Sequence, residues 1–93
     1  MITGKPTIAN VSMTSAATEY SYTFPADTKK FEIRIRSGSS LLQIAFISGQ
    51  SGSTYITIPY GASYSENDAK VGGATIYFQS PDATQVAEIK TWK

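Results

Sequence analysis

The stretch Phe31-Glu32-Ile33-Arg34-Ile35-Arg36 decides the fold. Apolar and charged residues alternate without a break. In an extended chain this sets Phe31, Ile33 and Ile35 on one face and Glu32, Arg34 and Arg36 on the other. Period two with one charged face predicts a half-buried β-strand. Upstream, Pro25-Ala26-Asp27-Thr28 predicts a turn, with proline fixing φ and aspartate available to bond the backbone. Before that turn, Glu19 to Phe24 alternates again, with Tyr20, Tyr22 and Phe24 on one side. Ile8 to Met13 is a weaker strand with Ile8, Val11 and Met13 as its apolar points.

Downstream, Ser37-Gly38-Ser39-Ser40 reads as a short hairpin-like loop. Leu41 to Ile47 follows, apolar on both faces apart from Gln43, so this strand is expected to be covered on both sides. Ser48 to Ser53 reads as a flexible loop. Tyr55 to Ile58 is a short strand ended by Pro59, which has no N–H to give to a ladder. Tyr60 to Asp68 is irregular and polar, with a brief strand at Ala62 to Ser65. Val71-Gly72-Gly73 turns the chain into Ala74 to Gln79. There Ala74, Ile76 and Phe78 form the expected core face, and Thr75, Tyr77 and Gln79 the outer one. After a turn at Ser80 to Thr84, Val86 to Trp92 is the last strand.

No long segment carries apolar residues at helical spacing, whereas strand signals recur every 8–12 residues or so. The expected fold is all-β: a single antiparallel β-sandwich of seven or eight strands, in jelly-roll or immunoglobulin-like order. The alternative is a small β-barrel. The Cys–Trp–Cys core common in immunoglobulin domains is absent. Residues 1–12 are expected as an N-terminal arm and residues 13–93 as the sandwich domain.

Ninety-three residues make one domain with a modest core. Disulfides, metals and oligomerisation are the usual supplements at this size. Cysteine and histidine are both absent, which removes disulfides and the good ligands for zinc, haem or copper. Oligomerisation or docking on a larger assembly is left. Eight basic and seven acidic residues are spread along the chain for a net charge of +1, so nucleic acid is not an expected partner. No run of about 18 apolar residues suggests a membrane span. The opening MITGKPTIANV does not read as a signal peptide, and the chain is expected to be a complete small product of a cytoplasm.

Catalytic signals are weak. The commonest general base and the strongest nucleophile are missing, and no Ser–Lys pair stands out. Asp27, Glu32, Glu66, Asp68 and Glu88 fall in turns or on charged faces. The expectation is a protein that is not an enzyme and holds no cofactor. Glu66-Asn67-Asp68 offers oxygen ligands suited to calcium, but without the spacing of an EF-hand loop, and a self-bonded turn is the simpler reading. Gly49-Gln50-Ser51-Gly52-Ser53 has the look of a phosphate cradle. It lacks the lysine and following helix such a cradle uses, and reads as a flexible connection. Six tyrosines and Trp92 suit either a core with hydroxyls reaching water, a protein interface, or stacking on sugar rings.

An ordered string runs through most of the chain. It comprises Tyr20-x-Tyr22-x-Phe24-Pro25, Thr28-Lys29-Lys30-Phe31-Glu32-Ile33-Arg34-x-Arg36-x-Gly38 and Ala45-Phe46-x-x-Gly49-x-Ser51-Gly52. Tyr55-x-Thr57-Ile58-Pro59-x-Gly61-x-x-Tyr64, Thr75-Ile76-Tyr77-Phe78-Gln79-Ser80-Pro81 and Val86-x-Glu88-Ile89-x-x-Trp92 complete it. From Thr18 to Trp92 it resembles small virion proteins encoded among the structural genes of tailed bacteriophages. The pieces are strand and turn motifs, with no catalytic signature. The resemblance implies structural work on a virion, foremost as a capsid decoration (cement) protein bound to the major capsid protein, otherwise as a minor head or tail component. It implies a homo-oligomer, with a trimer favoured. Leu41, Gln43, Ala45, Ile47, Thr75, Tyr77 and Gln79 are the candidate interface. A carbohydrate-binding or host-adhesion module using exposed tyrosines is the second reading, and a free-standing cytoplasmic domain the third.

Overall fold

A computed structural model describes residues 5–36, 40–66 and 72–93. Every described element is a strand. These are β1 (Thr7–Met13), β2 (Tyr20–Thr23), β3 (Lys30–Ile35), β4 (Leu42–Ala45), β5 (Ile56–Ile58), β6 (Ser63–Glu66), β7 (Thr75–Gln79) and β8 (Gln85–Trp92). They form two antiparallel sheets of four strands. The first has the order β1-β8-β3-β6 and the second β2-β7-β4-β5. No ladder among the described residues joins one sheet to the other, so the barrel alternative is not what they form.

Alternation decides what each strand buries. In β3, Phe31, Ile33 and Ile35 point inward as expected, joined across the ladder by Ala87 and Ile89 of β8. In the second sheet Leu42 and Ile44 of β4 lie beside Ile76 and Phe78 of β7, all fully buried. One apolar cluster takes side chains from both sheets, and Phe24 links them, its ring centroid 4.6 Å from that of Phe31. Burying a large apolar side chain contributes about 1.5–3 kcal/mol. Eleven such residues, with Ala87, make up this one cluster, which joins the two sheets.

Several expectations change. Residues 7–12, expected as part of an arm, are the body of β1 and pair residue by residue with β8. Odd-numbered Ala9, Val11 and Met13 take the inner side, which puts Ile8 outside. The two-faced strand at Leu41 to Ile47 ends at Ala45, and Phe46 and Ile47 fall beyond it. Ala74 is exposed, so the core face of β7 is Ile76 and Phe78 alone.

The turn after Phe24 forms, by a different device. Asp27 takes a positive φ of 65°, and it is Thr28 that bonds the backbone. Its hydroxyl donates to the Pro25 carbonyl at 2.7 Å. Gly72 packs against this turn, where a Cβ would lie 2.5 Å from the Asp27 nitrogen, so only glycine fits. The expected loop residues Ser37, Gly38 and Ser39, the turn residue Val71 and the calcium-like Asn67 and Asp68 lie outside the described residues.

Candidate functional site

The outer faces of the two sheets differ in chemistry. On the first sheet, Glu88 of β8 stands between Arg34 and Arg36, accepting from their Nε atoms at 2.9 and 2.8 Å. The two guanidinium groups, Arg36 first, hold its carboxyl below the usual carboxylate range. Lys90 approaches Glu32 at 3.8 Å. Lys30 and Lys90 both lie over the Trp92 ring, 4.5 and 5.0 Å from its centroid. Four basic side chains thus share two carboxylates and one aromatic ring within this face.

The outer face of the second sheet has no charged strand residue. Register sets Thr23 beside Thr75, Ser21 beside Tyr77 and Tyr77 beside Ala45, with Gln79 beside Gln43 and Gln43 beside Thr57. The Thr23 and Thr75 hydroxyls meet at 2.9 Å. Of the seven candidate interface residues, the fold therefore brings Gln43, Thr75, Tyr77 and Gln79 onto one surface, with Ala45 on the same side but buried beneath it. Leu41 is half-buried just ahead of β4, and Ile47 lies past the strand's end.

The connection from β4 to β5 closes over one end of this face. Glu19, just before β2, accepts from the Gly49 N–H at 2.9 Å, the Ser51 N–H at 3.2 Å and the Ser51 hydroxyl at 2.5 Å. These donors, the Ser51 hydroxyl foremost, lower the Glu19 pKa. Ser51 is fully buried and also lies 3.1 Å from Gln79 Oε1. Gly49 supplies the positive φ of 85° that turns the loop. The segment read as a flexible connection is thus tied down. It cradles an anion after all, the chain's own carboxylate.

Pinning this loop presents an apolar patch. Phe46 and Ile56 are each 45 % exposed, Ile47 61 % and Tyr55 40 %. With Ala45, Gln50 and Thr54 they line a shallow groove of about 290 Å³. Buried Ala45 forms part of the groove floor and pairs with Tyr77 of the uncharged face, so the two adjoin. Sequence reasoning marked Ile47 and Ala45 and offered Tyr55 only as one of six tyrosines; it did not single out Phe46 or Ile56. The signal available for Phe46, Tyr55 and Ile56 was their flanking of one Gly/Ser loop, which brings the ends of β4 and β5 together.

Among the described residues there is no cluster of three or more metal-ligating side chains. The closest grouping of hydroxyls and carboxylate is a ring. Ser40 donates to Asp82 at 2.6 Å, Ser40 and Ser80 meet at 2.8 Å, and the Asp82 N–H donates to Ser80 at 3.2 Å. Ser40 and Ser80 are buried, and the ring ties the start of β4 to the turn between β7 and β8. No protein-family model, no curated protein and no solved structure matches the chain.

Proposed function

We propose that the chain is a structural virion protein of a tailed bacteriophage, a capsid decoration protein that docks on the major capsid protein and stiffens the shell. In this reading the two sheets are the layers of a β-sandwich. The order β1-β8-β3-β6 against β2-β7-β4-β5 supports a jelly-roll arrangement, eight strands in two Greek keys. The observation that carries the proposal is the exposed quartet Phe46, Ile47, Tyr55 and Ile56, adjoining an uncharged sheet face. An apolar patch rimmed by polar residues is the usual mark of a protein-binding surface. Tyrosine and phenylalanine are enriched in the centres of such surfaces. The proposal gives the protein no catalytic step.

Virions from cells carrying the gene test it by mass spectrometry and imaging. The expected result is many copies on the head, lost when Ile47→Asp is combined with Ile56→Lys while the variant still folds. Virions that lack the chain would overturn it. The glycan-binding reading rests on Tyr55 and Tyr60, both exposed at the two ends of β5. A glycan array separates the two. Sugar binding lost in Tyr60→Ala favours the second reading.

A further inference from the structure

The four edge strands are not equally guarded. An exposed edge offers unpaired N–H and C=O groups to any passing strand, and proteins blunt it with charges, proline or short length. β5 has three residues and is followed by Pro59. β2 has four, with Glu19 before it and Pro25 soon after. β6 has four and ends on Glu66. β1 has seven, Thr7-Ile8-Ala9-Asn10-Val11-Ser12-Met13, with no charge and no proline within it; Lys5 and Pro6 guard only its first end and leave most of its length open. It pairs with β8 along its whole length without a bulge. Among the described residues nothing pairs with its other side. Ile8, on the outer face of this edge, is 67 % exposed.

From this we infer that β1 is a self-association edge: a second copy of the chain adds its own β1 antiparallel, about a twofold axis through Asn10. Such an axis, perpendicular to the sheet, keeps both outer faces on the same side. Residues of the same parity must then face each other. Only the register centred on Asn10 pairs all seven residues: Thr7 with the partner's Met13, Ile8 with the partner's Ser12, Ala9 with the partner's Val11, and Asn10 with the partner's Asn10. No like charges are opposed in it, since the strand holds none. The two Asn10 amides meet on the axis, where each can donate to the other. Ile8 gains cover from the partner's strand. Two four-stranded sheets become one of eight, with β1 at the centre. The contact is isologous and closes as a dimer, unlike the threefold assembly the resemblance implies. It uses neither the uncharged face nor the hairpin patch, so it stands or falls apart from shell binding.

Light scattering on the purified chain over a concentration series tests this. The expected mass is twice that of the 10.0 kDa chain. Asn10→Lys sets two like charges face to face on the axis and is expected to return the monomer, as is Asn10→Asp. Mixing the two variants is expected to restore the dimer, a result that simple misfolding cannot give. In the cysteine-free chain, Asn10→Cys supplies one thiol per copy, and directly opposed residues lie within about 5.5 Å at Cβ. Oxidation is expected to cross-link it quantitatively. A wild-type monomer at all concentrations, a threefold mass, or a dimer untouched by either charge would overturn the inference.

Discussion

Glu88 and Glu19 make the instructive pair. Each is a carboxylate on the outer side of one sheet, and each has its pKa lowered by hydrogen-bond donors. Their construction differs. Glu88 is held by two guanidinium groups whose side chains are more than half exposed, so water and salt compete for every contact. Glu19 is held by two backbone N–H groups and by the hydroxyl of a fully buried serine. Removing Glu88 frees two arginines that water can solvate. Removing Glu19 takes the acceptor from the N–H of fully buried Ser51 and leaves its hydroxyl only the longer contact with Gln79, and it unties the loop that presents Phe46, Ile47, Tyr55 and Ile56. The charged face is a surface in balance with solvent. The uncharged one is a built surface, held by one acid.

The largest effect should therefore come from Glu19→Ala. The buried Ser51 N–H loses its acceptor, and leaving such a donor unpaired costs about 1–3 kcal/mol. A lower denaturant midpoint with an unchanged slope would report it, together with faster amide exchange at Gly49 and Ser51. Shell binding should weaken in the same variant, although no residue of the patch has been touched. A midpoint equal to wild type would mean that the loop holds its shape without the carboxylate.

Acid sharpens the contrast. Both carboxylates have folded-state pKa values below their unfolded ones. Each therefore contributes stability that is present above the ordinary carboxylate pKa and lost as pH falls through the lowered value. Salt distinguishes them. At about 1 M the Debye length is about 3 Å, which screens exposed ion pairs but not short hydrogen bonds to buried groups. The acid-induced drop in melting temperature should thus persist at high salt in wild type and shrink in Glu19→Ala. A drop that vanishes in wild type at high salt would assign it to the arginine pairs instead.

Much of this was legible in the chain, because alternation is a local property. Phe31 to Arg36 announces its strand, and β7 announces Ile76 and Phe78 in the same way. The arrangement around Glu19 was not legible. Ser51 is thirty-two positions away, and Gly49-Gln50-Ser51 looks like any flexible connection until a carboxylate is set beside it. Composition hinted at an anion cradle, but only the fold reveals that the anion is internal. Phe46 and Ile47 were misplaced for a related reason. Periodicity marks which side a residue takes and is silent on where pairing stops, and β4 stops at Ala45. Likewise Ile8 has the wrong parity to share a face with Val11 and Met13, a conflict that pairing with β8 resolves by leaving it outside.

On the charged face the effects should be small. Glu88→Gln removes both ion pairs, and exposed pairs contribute roughly 0.2–1 kcal/mol each. The loss should fade as salt rises, the opposite of what Glu19→Ala does. An effect as large as that of Glu19→Ala, and independent of salt, would mean that this face too is built rather than balanced.

Lys90→Met is the mildest probe of the same face. It removes the contact with Glu32 and one of the two cations over Trp92. Lys30 is closer to the ring and stays in place. The stability change should be no more than about 0.5–1 kcal/mol, the range for an exposed cation over an aromatic face. Trp92 is the only tryptophan, so its fluorescence reads this one corner of the sheet. A shift in its emission without a shift in the unfolding midpoint is the expected outcome. It would show that cations crowd the ring because the alternation of β3 and β8 sets Lys30 and Lys90 beside it, whether or not the fold depends on their being there.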